Sequence, residues 1–222
     1  MTPCIEDICF WHESLAVVWI NGNYKGDNSK IADKINNFVQ LEIERKGKRE
    51  LPICDISILK YIFEIARTSH TQGTIGVCVG EAGLGKTIAV REYAKQNLNA
   101  ILIESDSTYK EKALLKEIHK RLSLSGKGSR YDLMCEVVNK LNNSGRLLII
   151  DEAENLPYGA LEIVRRIHDK AGIGIFLVGR NILVENLRGA NKQYDQLYSR
   201  VNNYKFLDRL NVNDIKKILL SV

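Results

Sequence analysis

From residue 57 onward, the apolar positions switch repeatedly between two spacings. Residues 57–68 carry Ile58, Ile62 and Ile65 three or four apart, which predicts one buried helix face. Residues 74–79 (TIGVCV) form a short apolar run, which predicts a buried strand. The alternation continues with a helix at 87–96, a strand at 100–104, helices at 109–122 and 130–141, a strand at 147–150, a helix at 159–170 and a strand at 173–178. Helix 109–122 turns Leu114, Leu115, Ile118 and Leu122 inward. Apolar strands separated by amphipathic helices predict an α/β fold, with a parallel sheet covered on both faces in three layers.

The first fifty residues follow another pattern. Residues 14–20 (SLAVVWI) are apolar and end in the turn-rich stretches Asn21-Gly22-Asn23 and Gly26-Asp27-Asn28. Asn28 or Ser29 can cap a helix at 30–44, where Ile31, Ile35, Phe38 and Val39 recur at helical spacing. Residues 45–50 (RKGKRE) read as a charged linker, and Leu51-Pro52 as a boundary. The expected division is therefore a small all-α region with its linker at 1–50, an α/β core at 51–208, and the first helix of a further element at 209–222.

Composition adds little. The 222 residues are 45% hydrophobic and 27% charged, as in ordinary folded proteins. A net charge of +5 permits contact with nucleic acid without requiring it. The five cysteines (Cys4, Cys9, Cys54, Cys78 and Cys135) are odd in number and form no CxxC pair, which fits reduced thiols in a cytoplasm. Cys78 reads as a small core residue. His12, His70, His119 and His168 lack metal-ligand spacing and read as structural or exposed. No run reaches the roughly 18 apolar residues of a membrane span, and the N-terminus lacks a signal pattern, so a cytoplasmic location is expected.

The chemistry is concentrated after the first strand. Gly80, Glu81, Ala82, Gly83, Leu84, Gly85, Lys86 and Thr87 (GEAGLGKT) fit G-x-x-x-x-G-K-[ST] at every defined position. The glycines let the backbone turn tightly and aim N–H groups at phosphate oxygens. The helix that follows adds its positive end. Lys86 would reach the β- and γ-phosphates, and Thr87 would ligate Mg²⁺. A chance glycine-rich turn is disfavoured by the strand entering and the helix leaving. Residues 147–152 (LLIIDE) supply the second half. Asp151 would bind Mg²⁺, mostly through water, and Glu152 would polarise the attacking water. The paired acids favour hydrolysis of ATP over binding alone.

Weaker candidates follow. Arg180 or Asn181, after the last apolar strand, could sense a γ-phosphate. Arg200 follows a short helix where an arginine finger to a neighbouring subunit would lie, with Arg188 and Arg209 as competitors. Arg165, Arg166, His168 and Lys170 form a basic helix face that reads first as solvated. Lys110 and Lys112 could face a central channel, and Lys127 and Arg130 flank a Ser/Gly loop.

In this order the motifs resemble the AAA+ P-loop ATPases that assist DNA transposition, the phage Mu B family. The likeness runs from about residue 14 to the C-terminus. It is carried by GVCVGEAGLGKTIAVREYAK, ILIESDSTY, GRLLIIDEAENLPYGALEIVRRIHDKAGIGIFLVG and QLYSRV. WINGNYKGDN at 19–28 is similar to the end of that family's helix-turn-helix domain, so the N-terminal region would be a remnant of one, and the chain is expected to be shortened at both ends. The resemblance implies ATP binding, hydrolysis that is slow or stimulated, and homo-oligomeric filaments on double-stranded DNA with little sequence preference. It also implies delivery of target DNA to a transposase. Carried over, Lys86 and Thr87 match the Walker A residues, Asp151 and Glu152 match Walker B, and Arg200 matches the finger. A nucleotide-gated interaction module with negligible turnover, or a repressor-like DNA-binding regulator, are the rival readings.

Overall fold

The structure is a computed structural model. It describes residues 56–189, 198–208 and 210–220, with backbone alone for 218–220. The expected helix at 30–44, the linker 45–50, Cys4, Cys9, Cys54 and Arg209 lie outside the described residues.

Helix α1 (Ser57–Gln72) buries Ile58, Ile62, Ala66 and Ser69 along one face. It runs past the expected end, and there the hydroxyls of Thr68 and Thr71 donate back to the carbonyls of Glu64 and Arg67, each at 2.9 Å, which satisfies them inside the helix. It stops at Gly73, which adopts φ 62° and returns its N–H to Ser69 O. The chain continues through β1 (Ile75–Val79), α2 (Lys86–Gln96), β2 (Ala100–Glu104), α3 (Glu111–Arg121), α4 (Arg130–Leu141) and β3 (Leu147–Asp151). A single 3₁₀ turn (Ala153–Asn155) leads to α5 (Tyr158–Ala171), β4 (Gly174–Gly179), α6 (Ile182–Arg188), β5 (Val201–Phe206) and α7 (Val212–Leu220).

The strands form one parallel sheet in the order β2-β3-β4-β1-β5. β1, β3 and β4 are buried along their whole length, whereas β2 at the edge alternates. The two faces of the sheet carry separate cores, because successive side chains point to opposite sides. Cys78, Ile149, Phe176 and Val178 pack with α1 and α2. Val77, Leu148, Ile150, Ile175 and Leu177 pack with α3, α4, α5 and α6. The expected three-layer α/β architecture is therefore present. Helix α1 rests almost on the sheet backbone: a Cβ on Gly174 would lie 2.2 Å from Ser69 O. On the opposite face, His119 is fully buried, accepts from Gly126 N–H at Nδ1 (3.2 Å), and reaches Leu133 O from Nε2 (2.9 Å). It is a structural histidine, carrying its proton on Nε2.

Two elements go beyond the sequence reading. β5 (VNNYKF) is polar and half exposed because it borders the sheet, so it has no apolar run to betray it. α6 spans 7 residues, too few to display a period, although Leu183, Val184 and Leu187 are buried. Among the described residues, no helix is long and apolar enough to cross a membrane.

This topology positions the site. β1 lies between β4 and β5, yet the chain leaves β1 for the far edge and returns strand by strand. Such a reversal opens a crevice beyond the carboxyl ends of the central strands, where α/β sheets bind ligands.

Candidate nucleotide-binding site

The loop 80–87 leaves β1 at that crevice. Gly80 N–H donates to Gly179 O (3.1 Å), which pins the loop to the end of β4. A Cβ on Gly80 would stand 2.9 Å from both Leu207 Cβ and Leu84 Cδ1, so only glycine fits. Leu84 is buried and anchors the loop in the core, while Gly83 and Gly85 take φ values of 83° and 82°. Lys86 and Thr87 open α2, whose N-terminal end faces the loop.

Lys86 is 9% exposed, and its Nζ donates to Gly80 O (2.9 Å) and Glu81 O (2.7 Å). Burial pulls its pKa below the usual lysine value, and the carboxylates of Glu154 and Asp151 oppose that pull. At the end of β3, Asp151 is 2% exposed. Burial pushes its carboxyl above the ordinary aspartate value, against hydrogen bonds from the Thr87 side chain and from Glu152 N–H. Its Oδ2 is buried without a hydrogen-bond partner. A carboxylate oxygen left without a donor, beside a threonine hydroxyl, is a hard-oxygen pair that suits Mg²⁺ held jointly with substrate phosphates.

Glu152 faces solvent and sits at φ 53°, ψ 36°. A left-handed backbone at a non-glycine residue is uncommon and concentrates at functional positions. The turn is held by Ser105, after β2, whose Oγ donates to the carbonyls of Asp151 (2.9 Å) and Glu152 (2.8 Å). Asn155 Nδ2 donates to Glu152 Oε2 (3.1 Å).

Three of these residues escaped the sequence reading: Ser105, Glu154 and Asn155. Their only signal is position, just past an apolar strand end, and many polar residues share it. Of the two sensor candidates, Arg180 enters the site, with Nε donating to Glu154 Oε1 at 2.8 Å. Asn181 is exposed at the start of α6. Arg200 lies elsewhere. It precedes Val201, which is paired with Ile75 at the entry end of β1, so a whole strand separates it from the loop 80–87 of its own chain. Its Nε donates to Asp169 Oδ1 (3.2 Å). Arg188 is held by Tyr198 through a hydrogen bond of 2.7 Å and a cation–π contact. Arg165 and Arg166 bond to Glu162, and Arg165 also to Asp169, so much of the basic face of α5 is neutralised. Lys110, Lys112, Lys127 and Arg130 are exposed.

The sequence model of the AAA domain matches residues 69–187, which span α1 to α6 and contain the loop, both acids and Arg180. The chain belongs to the AAA domain family. Among relatives of this AAA domain is the Mu-like prophage FluMu DNA transposition protein B of Haemophilus influenzae, 30% identical over 82% of this chain. Another is the ATP-dependent target DNA activator B of Escherichia phage Mu, 26% identical over 90% of this chain. The chain spans 66% of the length of each. These matches bear out the resemblance read from the motif blocks. Among solved structures, the Aeropyrum pernix ORC2 protein (ADPNP-ADP complexes) has the same fold. It gives a TM-score of 0.56 at 16% identity, over 78% of this chain and 53% of that one.

Proposed function

We propose that this AAA domain binds ATP with Mg²⁺ at residues 80–87 and hydrolyses it. We further propose that it does so as a homo-oligomer on double-stranded DNA, with little sequence preference, and assists a transposase. One observation carries the nucleotide reading: Lys86, Thr87, Asp151 and Glu152, far apart in sequence, meet at the carboxyl ends of β1 and β3, the two strands that flank β4. The reading of DNA and transposase rests on relatives named for DNA transposition and for activating target DNA. Exposed Lys110 and Lys112 at the start of α3 are compatible with contact to phosphates.

The residues divide the work. Backbone N–H groups of the loop and the N-terminal end of α2 cradle the phosphates. Lys86 Nζ exchanges the carbonyls of Gly80 and Glu81 for phosphate oxygens. The Thr87 hydroxyl and the Asp151 carboxylate would hold Mg²⁺, which when bound offsets charge on the β- and γ-phosphates. Glu152, exposed and held at Oε2 by Asn155, aligns the attacking water through a hydrogen bond. Arg200, remote from its own loop, reaches the γ-phosphate of a neighbouring subunit.

Titration with a fluorescent ATP analogue tests the core of this reading. Lys86→Ala is expected to weaken binding by tenfold or more, and wild-type affinity in that variant overturns it. Duplex DNA is expected to bind with a steep inverse dependence on salt and to accelerate phosphate release. Protection of one operator sequence would instead favour the repressor reading.

A further inference from the structure

Glu154 is a charged side chain at the site that has no role so far. It is 5% exposed, yet its partner Arg180 is 60% exposed. An exposed arginine needs no buried counter-ion, and desolvating a carboxylate is costly, so stability alone does not account for the pair. The carboxylate is also built in rigidly. Its residue lies in the 3₁₀ turn, and its carbonyl accepts from Asn186 Nδ2 (3.0 Å) on α6. Its Oε2 lies against Gly179, where a Cβ would come within 2.2 Å of it, so the absence of a side chain there makes its room. That same oxygen is buried without a hydrogen-bond partner, leaving part of its charge to act on nearby cations. Those cations are Arg180 and Lys86. Arg180 directly follows Gly179, whose carbonyl receives the N–H of Gly80, the first residue of the loop. With Nε–H engaged by Glu154, the Nη groups are the remaining donors of the guanidinium. Guanidinium donors grip phosphate oxygens in bidentate fashion.

We propose that Glu154 is a positioning residue that fixes the Arg180 guanidinium beside the phosphate loop, so that the arginine distinguishes a nucleoside triphosphate from a diphosphate. The proposal rests on the reading of residues 80–87 as the nucleotide site. The carboxylate does not touch the nucleotide. It acts by holding the arginine at the position of the third phosphate, which a diphosphate lacks.

The test is the ratio of two affinities, for ADP and for a non-hydrolysable ATP analogue. It is measured in the wild-type chain and in Glu154→Ala, Glu154→Gln, Arg180→Ala and the Glu154→Ala/Arg180→Ala double variant. Wild type is expected to prefer the triphosphate by at least tenfold. Arg180→Ala and Glu154→Ala are each expected to lower that preference about tenfold, with ADP affinity and melting temperature little changed. Glu154→Gln, whose amide oxygen can still accept from Nε, should restore most of the preference. The double variant should be no worse than Arg180→Ala, because the two residues act as one unit. The proposal is overturned if wild type fails to discriminate, if Glu154→Ala keeps the preference, if both affinities fall together with the melting temperature, or if the two losses add. Wild-type binding of both nucleotides by Lys86→Ala would instead remove the underlying site reading.

Discussion

Asp151 and Glu152 are adjacent in the chain and opposite in surroundings. Asp151 is buried with an oxygen lacking a donor, while Glu152 faces solvent on a left-handed backbone. The first arrangement suits an acid that waits for a cation, and the second suits an acid that touches water. The two substitutions should therefore separate. Glu152→Gln keeps the size and the hydrogen-bonding capacity for Asn155 but loses the charge that aligns water. Its phosphate-release rate is expected to fall by about a hundredfold, the scale of a lost acid–base group, while ATP-analogue affinity stays within threefold of wild type. Equal losses in both measurements would assign Glu152 to binding. At this scale the sequence was informative for the loop and the acidic pair, because their spacing is a signature in itself. It was silent on Glu154 and Ser105, which matter only because strand ends bring them to the loop.

At the scale of elements, α5 shows how a charged helix face stabilises itself. Glu162 accepts from Arg165 Nε (2.8 Å) and Nη2 (2.6 Å) and from Arg166 Nε (3.0 Å). The Arg165 hydrogen bonds dominate, and against some desolvation they push the Glu162 pKa down to about 2. A depressed folded-state pKa means that the unfolded chain binds the proton first as pH falls. The stabilisation is therefore complete above about 4.5, the ordinary glutamate value, and disappears as pH falls toward 2. Solvent screening keeps it on the order of 1 kcal/mol. Glu162→Gln is expected to melt below wild type at pH 7, with the gap closing between pH 4.5 and 2. A gap that persisted at pH 2 would exclude the ion pair as its source. Another tie links α7 to the start of α1: Asp214 accepts from Ser57 N–H (2.9 Å) and Oγ (2.5 Å), satisfying a free N–H at a helix N-terminus.

For the whole molecule, the informative distance is the one the sheet imposes on Arg200. It stands at the entry end of the strands and the phosphate loop at the exit end, so one chain cannot bring them together without unfolding β1 or β5. A finger role thus requires a second copy. Lys86→Ala subunits would retain the arginine, and Arg200→Ala subunits would retain the loop. Mixing the two inactive variants is expected to recover a measurable part of the wild-type ATPase rate. A mixture no more active than either variant alone would remove Arg200 from the shared site. The exchange also requires Arg200 to leave Asp169, to which it bonds within its own chain.

The sequence by itself determined the layer order, the central strands and the phosphate loop, because each is written in local spacing. Buried strands are unbroken apolar runs, helix faces recur every three or four residues, and a phosphate cradle needs glycines at fixed offsets. What only the tertiary structure decided is adjacency. β5 is polar and borders the sheet, so its pairing with β1 leaves no apolar run to read. The order β2-β3-β4-β1-β5 brings residues from β1, β3 and β4 to one crevice although up to a hundred positions separate them. The partnership of Arg180 with Glu154 and the separation of Arg200 from its own loop follow from that order. The physical reason is that strand pairing is a long-range interaction, and local periodicity carries no information about which strands will be neighbours.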